Sequence, residues 1–143
     1  MTPANAPHRV MHTMIRVRDL DASLDFYTRL LGMKLLRRKD YPEGRFSLAF
    51  VGYGAEIDHA VIELTHNWDT QDYDHGSAYG HVALRVANVE RTCRYLAEAN
   101  VQVVRAPVPM THSSPQRQAP ENIAFVADPD GYRLELIEHQ SAC

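Results

Sequence analysis

The sequence HTMIRVRDL, residues 12–20, has the same pattern as HVALRVANV, residues 81–89. Histidine aligns with histidine, arginine with arginine and valine with valine, all at an offset of 69 residues. A fixed offset of this kind indicates an internal repeat, in which one structural unit is written twice along the chain.

Two further matches support the duplication. AFV at 49–51 matches AFV at 124–126 with an offset of 75, and IEL at 62–64 matches LEL at 134–136 with an offset of 72. The change from 75 to 72 predicts about three extra residues in the last hairpin of the first copy. A hairpin loop is where extra residues are tolerated, because loops run over the surface.

Each copy predicts the element order βαβββ. Asp19 and Asn88 are good N-cap residues in front of helical patterns, and Gly32 follows the first helix where a left-handed C-terminal cap sits. Asp128-Pro-Asp-Gly131 predicts a turn between the last two strands. The predicted strands are 12–17, 34–38, 46–51 and 60–66 in the first copy, and 81–86, 101–105, 123–127 and 133–138 in the second.

The predicted fold class is therefore α+β: two tandem βαβββ modules that form mixed curved sheets, with the helices on the outer face. The modules cover about residues 10–70 and 79–140 of a single domain spanning 10–140. Residues 1–9 and 141–143 are predicted tails, and residues 112–121 have the composition of a flexible loop.

Composition and charge exclude several classes of function. The chain has 143 residues, 45% hydrophobic and 23% charged, as in an ordinary globular domain. A net charge of −3 argues against binding to nucleic acid. No apolar run reaches the roughly 20 residues of a membrane span, and the N-terminus lacks a secretion signal. The two cysteines do not form a disulfide framework, so we expect a cytoplasmic protein in which Cys93 is a core residue.

Strand alternation places one histidine and one glutamate at matched positions in each copy. His12 and Glu63 lie on the polar faces of their strands in the first copy, as do His81 and Glu135 in the second. A single polar residue on such a face is normally just solvated, but here the same two residue types recur. Two imidazoles and two carboxylates without a thiolate suit Ni, Fe, Co, Mn or a catalytic Zn ion.

Longer runs resemble the glyoxalase I (lactoylglutathione lyase) family of the vicinal oxygen chelate superfamily, which is built from paired βαβββ modules. The resemblance extends from about Met11 to His139. It is carried by HTMIRV from residue 12, DFYTRLLGMKLLR from 25, FVGYG from 50, IELTHNW from 62, YGHVAL from 79 and DPDGYRLELI from 128.

The resemblance implies a set of site residues. His12, Glu63, His81 and Glu135 become ligands of one divalent metal, with Ni(II) expected and Co(II) or Zn(II) as alternatives. The site is shared in a homodimer, with His12 and Glu63 from one chain and His81 and Glu135 from the other. Substrate contacts are Arg16 and Asn67, which meet glutathione, together with His81.

The resemblance also implies the reaction. Methylglyoxal and the co-substrate glutathione form a hemithioacetal, which the enzyme isomerises to S-D-lactoylglutathione through a metal-bound enediolate, so that methylglyoxal is detoxified. Glu135 moves the proton from C1 to C2, and Glu63 is placed symmetrically for the other epimer. The metal acts as a Lewis acid in this scheme.

One segment departs from the family pattern, which usually has a lysine before the Ala-Phe-Val strand. Here Thr111 follows Pro109-Met110, and the 112–121 insertion comes next. Arg117 is a candidate replacement for the lysine charge, and a thiol other than glutathione stays open.

Three alternatives stay open at this point: an extradiol dioxygenase, an epimerase, and an antibiotic-binding resistance protein with the fold but without the metal ligands. The four-ligand set favours none of them. Aromatic residues near strand ends are interpreted as packing rather than a pocket, namely Tyr41, Trp68 and Tyr73. The other histidines are interpreted as surface or loop residues, namely His8, His59, His66, His75, His112 and His139.

Overall fold

The computed structural model describes residues 3–109 and 122–138, and the chain divides into two compact units, Met1–Tyr73 and Asp74–Cys143. Each unit contains one four-stranded mixed sheet and one helix that packs on it. This architecture confirms the predicted α+β fold of βαβββ modules. In the described residues no helix has the length and apolar character needed to cross a membrane.

Unit 1 contains strands β1 (His12–Arg16), β2 (Lys34–Tyr41), β3 (Phe46–Gly52) and β4 (Val61–Asn67). The helix α1 (Leu20–Asp25) follows β1 and continues into a π-helical turn at Phe26–Leu30. The sheet order is β1-β4-β3-β2, with β1 parallel to β4 and the other pairs antiparallel. The first and last strands of the unit are therefore neighbours.

Unit 2 repeats this order with β5 (Val82–Val86), α2 (Val89–Glu98), β6 (Val103–Pro109), β7 (Asn122–Ala127) and β8 (Arg133–Glu138). The sheet order is β5-β8-β7-β6, and β5 is parallel to β8. Eight residues separate β3 from β4, whereas five separate β7 from β8. The difference of three residues is the one that the offsets predict.

Both helices begin at the predicted caps. The Asp19 carboxylate accepts a hydrogen bond from the Ala22 amide at 3.1 Å, and the Asn88 side-chain oxygen accepts one from the Arg91 amide at 2.9 Å. These bonds satisfy amide groups that the first turn of a helix leaves without partners. The cap residues thus determine where each helix begins, and the helix start limits how far β1 and β5 extend.

The first helix ends differently from a regular α-helix. The Leu31 amide donates to the Phe26 carbonyl, five residues back, at 3.0 Å. This wider spacing turns Phe26 into the core beside Tyr27, while Leu31, predicted on the buried face, is half-exposed. Periodicity at 3.6 residues predicts Leu20, Leu24 and Tyr27 correctly, but it cannot anticipate a π-helical turn.

The strand β6 begins two residues later than predicted. The Val101 amide donates to the Leu96 carbonyl at 3.0 Å, so Val101 closes the helix instead of joining the sheet. The strand then extends to Pro109, beyond the predicted end at Arg105, with irregular register on both sides of Arg105. Prolines are tolerated here because β6 is the edge strand of its sheet.

The core of each unit lies between the helix and the apolar face of its sheet. In unit 1, Ile62 and Leu64 of β4 are buried together with Leu24 of the helix. In unit 2, Leu134 and Leu136 of β8 are buried with Leu96. Because strand side chains alternate, burial of these residues turns their odd-numbered neighbours to the opposite face.

We expect Gly32→Ala to lower the free energy of unfolding by about 1–2 kcal/mol, because Gly32 has φ +76° at the end of the first helix and an alanine there is strained. Urea denaturation measures the change. The matched control is Gly80→Ala, since a Cβ at either position meets nothing within 4 Å and Gly80 lacks a positive φ. Equal losses in the two variants would contradict the role of backbone conformation.

Candidate active site

The polar face of the first sheet brings His12 and Glu63 together. The Nε2 atom of His12 lies 3.5 Å from Oε1 of Glu63, with 34% and 15% of the two side chains exposed. Met14 is the cross-strand partner of Glu63 in the parallel β1–β4 pairing, and His12 lies two residues before Met14 on the same face. The pair is thus a consequence of register and is still open to a ligand.

The second sheet repeats this arrangement with His81 and Glu135. The Nε2 atom of His81 lies 3.2 Å from Oε1 of Glu135, with 40% and 10% of the side chains exposed. Ala83 is the partner of Glu135 in the β5–β8 pairing, and His81 again lies two residues earlier. His81 stands just before β5, not inside it as predicted. We call the two arrangements the unit 1 pair and the unit 2 pair.

Each pair offers one imidazole nitrogen and one carboxylate oxygen to an ion. Two ligand atoms about 2.0–2.2 Å from one divalent ion, at roughly a right angle, are about 3 Å apart. The observed separations of 3.5 and 3.2 Å are close to that value, so the donor set fits a metal. Within the described residues, no group of three or more histidine, cysteine, aspartate or glutamate side chains could hold a metal ion.

A phenylalanine accompanies each pair, and sequence reasoning did not identify either one. The ring of Phe50 lies edge-to-face against His12, with centroids 5.3 Å apart, and Phe125 lies in the same way against His81 at 5.2 Å. Both residues are the middle positions of the matched AFV runs. The AFV match at an offset of 75 residues is the sequence signal that could have identified the two phenylalanines.

An arginine and a glutamate flank the unit 1 pair, and they too were missed. The Arg37 guanidinium lies 3.8 Å from the Phe50 ring centroid and donates to both carboxylate oxygens of Glu56, at 2.8 and 3.1 Å. These hydrogen bonds hold the pKa of the Glu56 carboxyl below its usual value. No short motif marks this contact, because Glu56 lies in the loop between β3 and β4.

The predicted substrate contacts lie at the ends of the strands that carry the unit 1 pair. Arg16 is the last residue of β1, and Asn67 is the last residue of β4. By strand parity, Arg16 shares the face of His12, and Asn67 shares the face of Glu63. Arg16 is exposed and Asn67 is half-buried, so both side chains are accessible on the sheet face that carries His12 and Glu63.

Two of the three aromatic residues considered for a pocket, Tyr41 and Trp68, make contacts within unit 1. Tyr41 stacks on Phe46 with centroids 4.7 Å apart, and the Trp68 indole donates to Ser47 at 2.9 Å. The Tyr73 hydroxyl is buried and has no hydrogen-bond partner in the described part of the chain.

His66 differs from its interpretation as a surface or loop residue, whereas His75 lies in the loop between β4 and β5, as predicted. His66 lies within β4, half-buried, and its Nδ1 is 3.2 Å from the Val17 carbonyl oxygen, because an even position on this strand faces the helix side. His75 is half-buried and stacks on Tyr132 with centroids 4.1 Å apart. His8 and His59 are exposed, as predicted.

Cys93 is buried, and burial raises the pKa of its thiol, which favours the neutral thiol of a core residue. Several predicted positions lie outside the described residues. These are Thr111, Arg117 and the rest of the 112–121 insertion, together with His112 and His139.

Comparison with known proteins identifies relatives of the whole chain. Residues 9–136 match the family described as Glyoxalase/Bleomycin resistance protein/Dioxygenase superfamily. A lactoylglutathione lyase of Neisseria meningitidis is 56% identical over 133 residues, which cover 93% of this chain and 92% of the relative. The lactoylglutathione lyase of Escherichia coli O157:H7 is 50% identical over 94% of this chain and 95% of that protein.

Solved structures agree with this similarity. The trypanothione-dependent glyoxalase I of Leishmania major superimposes with a TM-score of 0.76 and 41% identity, over 92% of this chain and 86% of that one. Glyoxalase I from Zea mays gives 0.83 and 35% over 93% of this chain, which spans only 45% of the maize chain. From the extent and identity of these matches, the chain belongs to the lactoylglutathione lyase (glyoxalase I) family within the Glyoxalase/Bleomycin resistance protein/Dioxygenase superfamily.

Proposed function

We propose that this chain, a carbon–sulfur lyase of the lactoylglutathione lyase family, acts at one divalent metal ion held by His12, Glu63, His81 and Glu135. The observation that carries the proposal is the recurrence of the same imidazole–carboxylate pair, at 3.5 Å and 3.2 Å, on equivalent strands of two sheets. Four donors of this mixture leave positions open for a substrate with two neighbouring oxygens.

We further propose that the four ligands come from two copies of the chain. Each unit supplies only two donors, whereas a site with four protein ligands needs two pairs. A homodimer provides them when the unit 1 pair of one copy faces the unit 2 pair of the other. The maize relative supports such pairing, because its chain is about twice as long as this one. A closed dimer of this kind contains two equivalent sites.

The substrate of the proposed reaction is the hemithioacetal of methylglyoxal and glutathione, and the product is S-D-lactoylglutathione. The reaction moves the carbon-bound proton from C1 to C2, and the hydroxyl proton passes from the C1 oxygen to the C2 oxygen, so the substrate and product are isomers. A divalent ion, when bound, supplies Lewis-acid stabilisation of the negative charge that develops on the two neighbouring oxygens. The metal that we propose is Ni(II), with Co(II) and Zn(II) as alternatives.

The base that we propose is Glu135. Its side chain is only 10% exposed, and it is the less exposed of the two glutamates. A carboxylate shielded from water does not lose the transferred proton to solvent. Glu135 therefore takes the proton from C1 and returns it at C2, and Glu63 has the same position for the opposite epimer.

The glutathione part of the substrate carries carboxylates, and we propose Arg16 and Asn67 as contacts for it. Arginine binds a carboxylate through paired charge-assisted hydrogen bonds, and asparagine adds a neutral donor. We also propose that His81 contacts the substrate, because a ligand of the metal ion lies next to a substrate held by the same ion. The location that we propose is the reducing cytoplasm, where glutathione keeps thiols such as that of Cys93 reduced.

Removal of the metal is the first test. We expect a chelator to abolish turnover of the hemithioacetal, because no protein side chain replaces the Lewis acid. We then expect one equivalent of Ni(II) per chain to restore turnover more fully than one equivalent of Zn(II). Formation of the thioester product, followed by absorbance, measures the rate. Full activity in protein shown by elemental analysis to be metal-free would refute the metal-dependent reaction.

Glu135→Gln removes the proposed base while keeping its size. We expect kcat to fall about 10²–10⁴-fold with little change in KM, because the proton transfer loses its acceptor. Glu90→Gln, a change of the same kind in the first turn of α2, is the control and should leave kcat unchanged. If Glu63→Gln lowered kcat while Glu135→Gln did not, the base would be Glu63 instead.

A hybrid dimer tests the sharing of the site. His12→Ala and His81→Ala should each abolish activity, yet a hybrid containing one copy of each has one site with all four ligands. We expect about half of the wild-type kcat per dimer for this hybrid, isolated by coexpression with two different affinity tags. An inactive hybrid would show that each site is built from a single chain.

A further inference from the structure

Each histidine of the two pairs lies against a phenyl ring of its own sheet. The contact between His12 and Phe50 has a centroid distance of 5.3 Å and an interplanar angle of 82°, and that between His81 and Phe125 has 5.2 Å and 73°. Aromatic rings attract each other edge-to-face at such distances. The same geometry therefore occurs twice, once in each unit.

Strand register explains why both rings arrive at this position. Phe50 is the cross-strand partner of Glu63, and Phe125 is the cross-strand partner of Glu135. Cross-strand partners in an antiparallel pair project from the same face with their Cβ atoms about 5 Å apart. Each ring therefore emerges beside the carboxylate, on the face that also carries the histidine.

We propose that Phe50 and Phe125 are positioning residues, which hold the imidazole planes of His12 and His81 so that each Nε2 points at its carboxylate and at an ion beside it. The inference rests on the proposed function, because it takes both histidines to be metal ligands. Metal-bound histidines are usually oriented by a neighbouring group, and loss of that group weakens metal binding. Here the phenyl ring is the neighbour that the structure provides in both units.

In unit 1 the phenyl ring is itself held from another side. The Arg37 guanidinium lies 3.8 Å from the Phe50 centroid, and the two hydrogen bonds that it donates to the Glu56 carboxylate hold it in place. Phe50 is only 4% exposed. Histidine, phenylalanine and arginine thus contact one another in series, and the imidazole cannot turn toward Phe50 without displacing a buried ring.

In the described residues, unit 2 has no counterpart of the Arg37 contact with the phenyl ring. Arg105 is the cross-strand partner of Phe125, as Arg37 is of Phe50, but no cation stacks on Phe125 in that part of the chain. Phe125 is also more exposed than Phe50. In the described residues the unit 1 pair therefore has a stacked arginine behind its phenyl ring, and the unit 2 pair, which carries the proposed base Glu135, does not.

Leucine substitutions test the positioning role. Phe50→Leu and Phe125→Leu keep an apolar side chain but remove the ring, and we expect each to weaken Co(II) binding by about 10-fold. Equilibrium titration of the purified full-length protein gives the affinity, and the visible absorption spectrum of bound Co(II) reports the ligand geometry. Phe50→Tyr and Phe125→Tyr restore a ring and should recover the wild-type spectrum.

Two controls separate positioning from general destabilisation. Phe26→Leu removes another buried ring of unit 1, which packs on Tyr27 with centroids 5.0 Å apart, and should leave Co(II) affinity unchanged. Arg37→Lys keeps the charge but loses the planar stack, so we expect a loss of about 3-fold in Co(II) affinity. Arg105→Lys should have no effect on it.

The outcomes distinguish this inference from the proposed function. If both leucine variants kept wild-type Co(II) affinity and spectrum while His12→Ala and His81→Ala lost binding, the positioning role would be overturned and the ligand set would stand. An equal loss in Phe26→Leu would overturn it as well. If the two alanine variants bound Co(II) as the wild type does, the ligand set would be wrong, and the inference would fall with it.

Discussion

The parallel pairing of the first and last strand of each unit is the constraint on which the site depends. Side chains two residues apart along a strand share a face, and a parallel partner keeps the same direction, so β1 and β4 present His12 and Glu63 to the same region. A shift of one residue in this register would turn Glu63 toward the helix and Leu64 toward solvent. The burial of Ile62 and Leu64 against the helix therefore also fixes the carboxylate.

Duplication of the unit makes the same constraint act twice. The unit 2 pair is held by the β5–β8 register and by burial of Leu134 and Leu136. Each unit alone presents one nitrogen and one oxygen donor, which is half of the proposed ligand set. In the proposed homodimer, assembly of two pairs from different copies around one ion would couple metal binding to dimer formation.

The sequence predicts the elements that local chemistry determines. Caps at Asp19 and Asn88, the left-handed Gly32 and the strand parity around Glu63 and Glu135 follow from single residues or a period of two, and the structure contains all of them. The π-helical turn at Phe26–Leu30 and the late start of β6 depend instead on hydrogen bonds from the Leu31 and Val101 amides to carbonyls five residues earlier. Periodicity carries no information on these bonds.

Within the site, too, some features follow from the local sequence and others depend on the three-dimensional fold. Strand parity predicts which residues lie on the polar face, whereas the meeting of each histidine with its glutamate also needs the parallel register of β1–β4 and β5–β8. The Arg37–Glu56 contact joins a strand to a loop 19 residues later, and only the three-dimensional path of that loop brings the two side chains together. Phe50 and Phe125 fall between these cases, because their matched positions in the repeat are visible in the sequence but their contact with an imidazole is not.

The difference between the two units bears on how a symmetric ligand set can perform an asymmetric reaction. Proton transfer needs one carboxylate that moves and others that hold the ion. Phe50 is buried under Arg37, whose guanidinium is fixed by Glu56, so the surroundings of Glu63 resist displacement. Phe125 has no such cover in the described residues, and Glu135 beside it is still shielded from water. The arginine cover over Phe50 and the lower exposure of Glu135 together favour Glu135 over Glu63 as the proposed base.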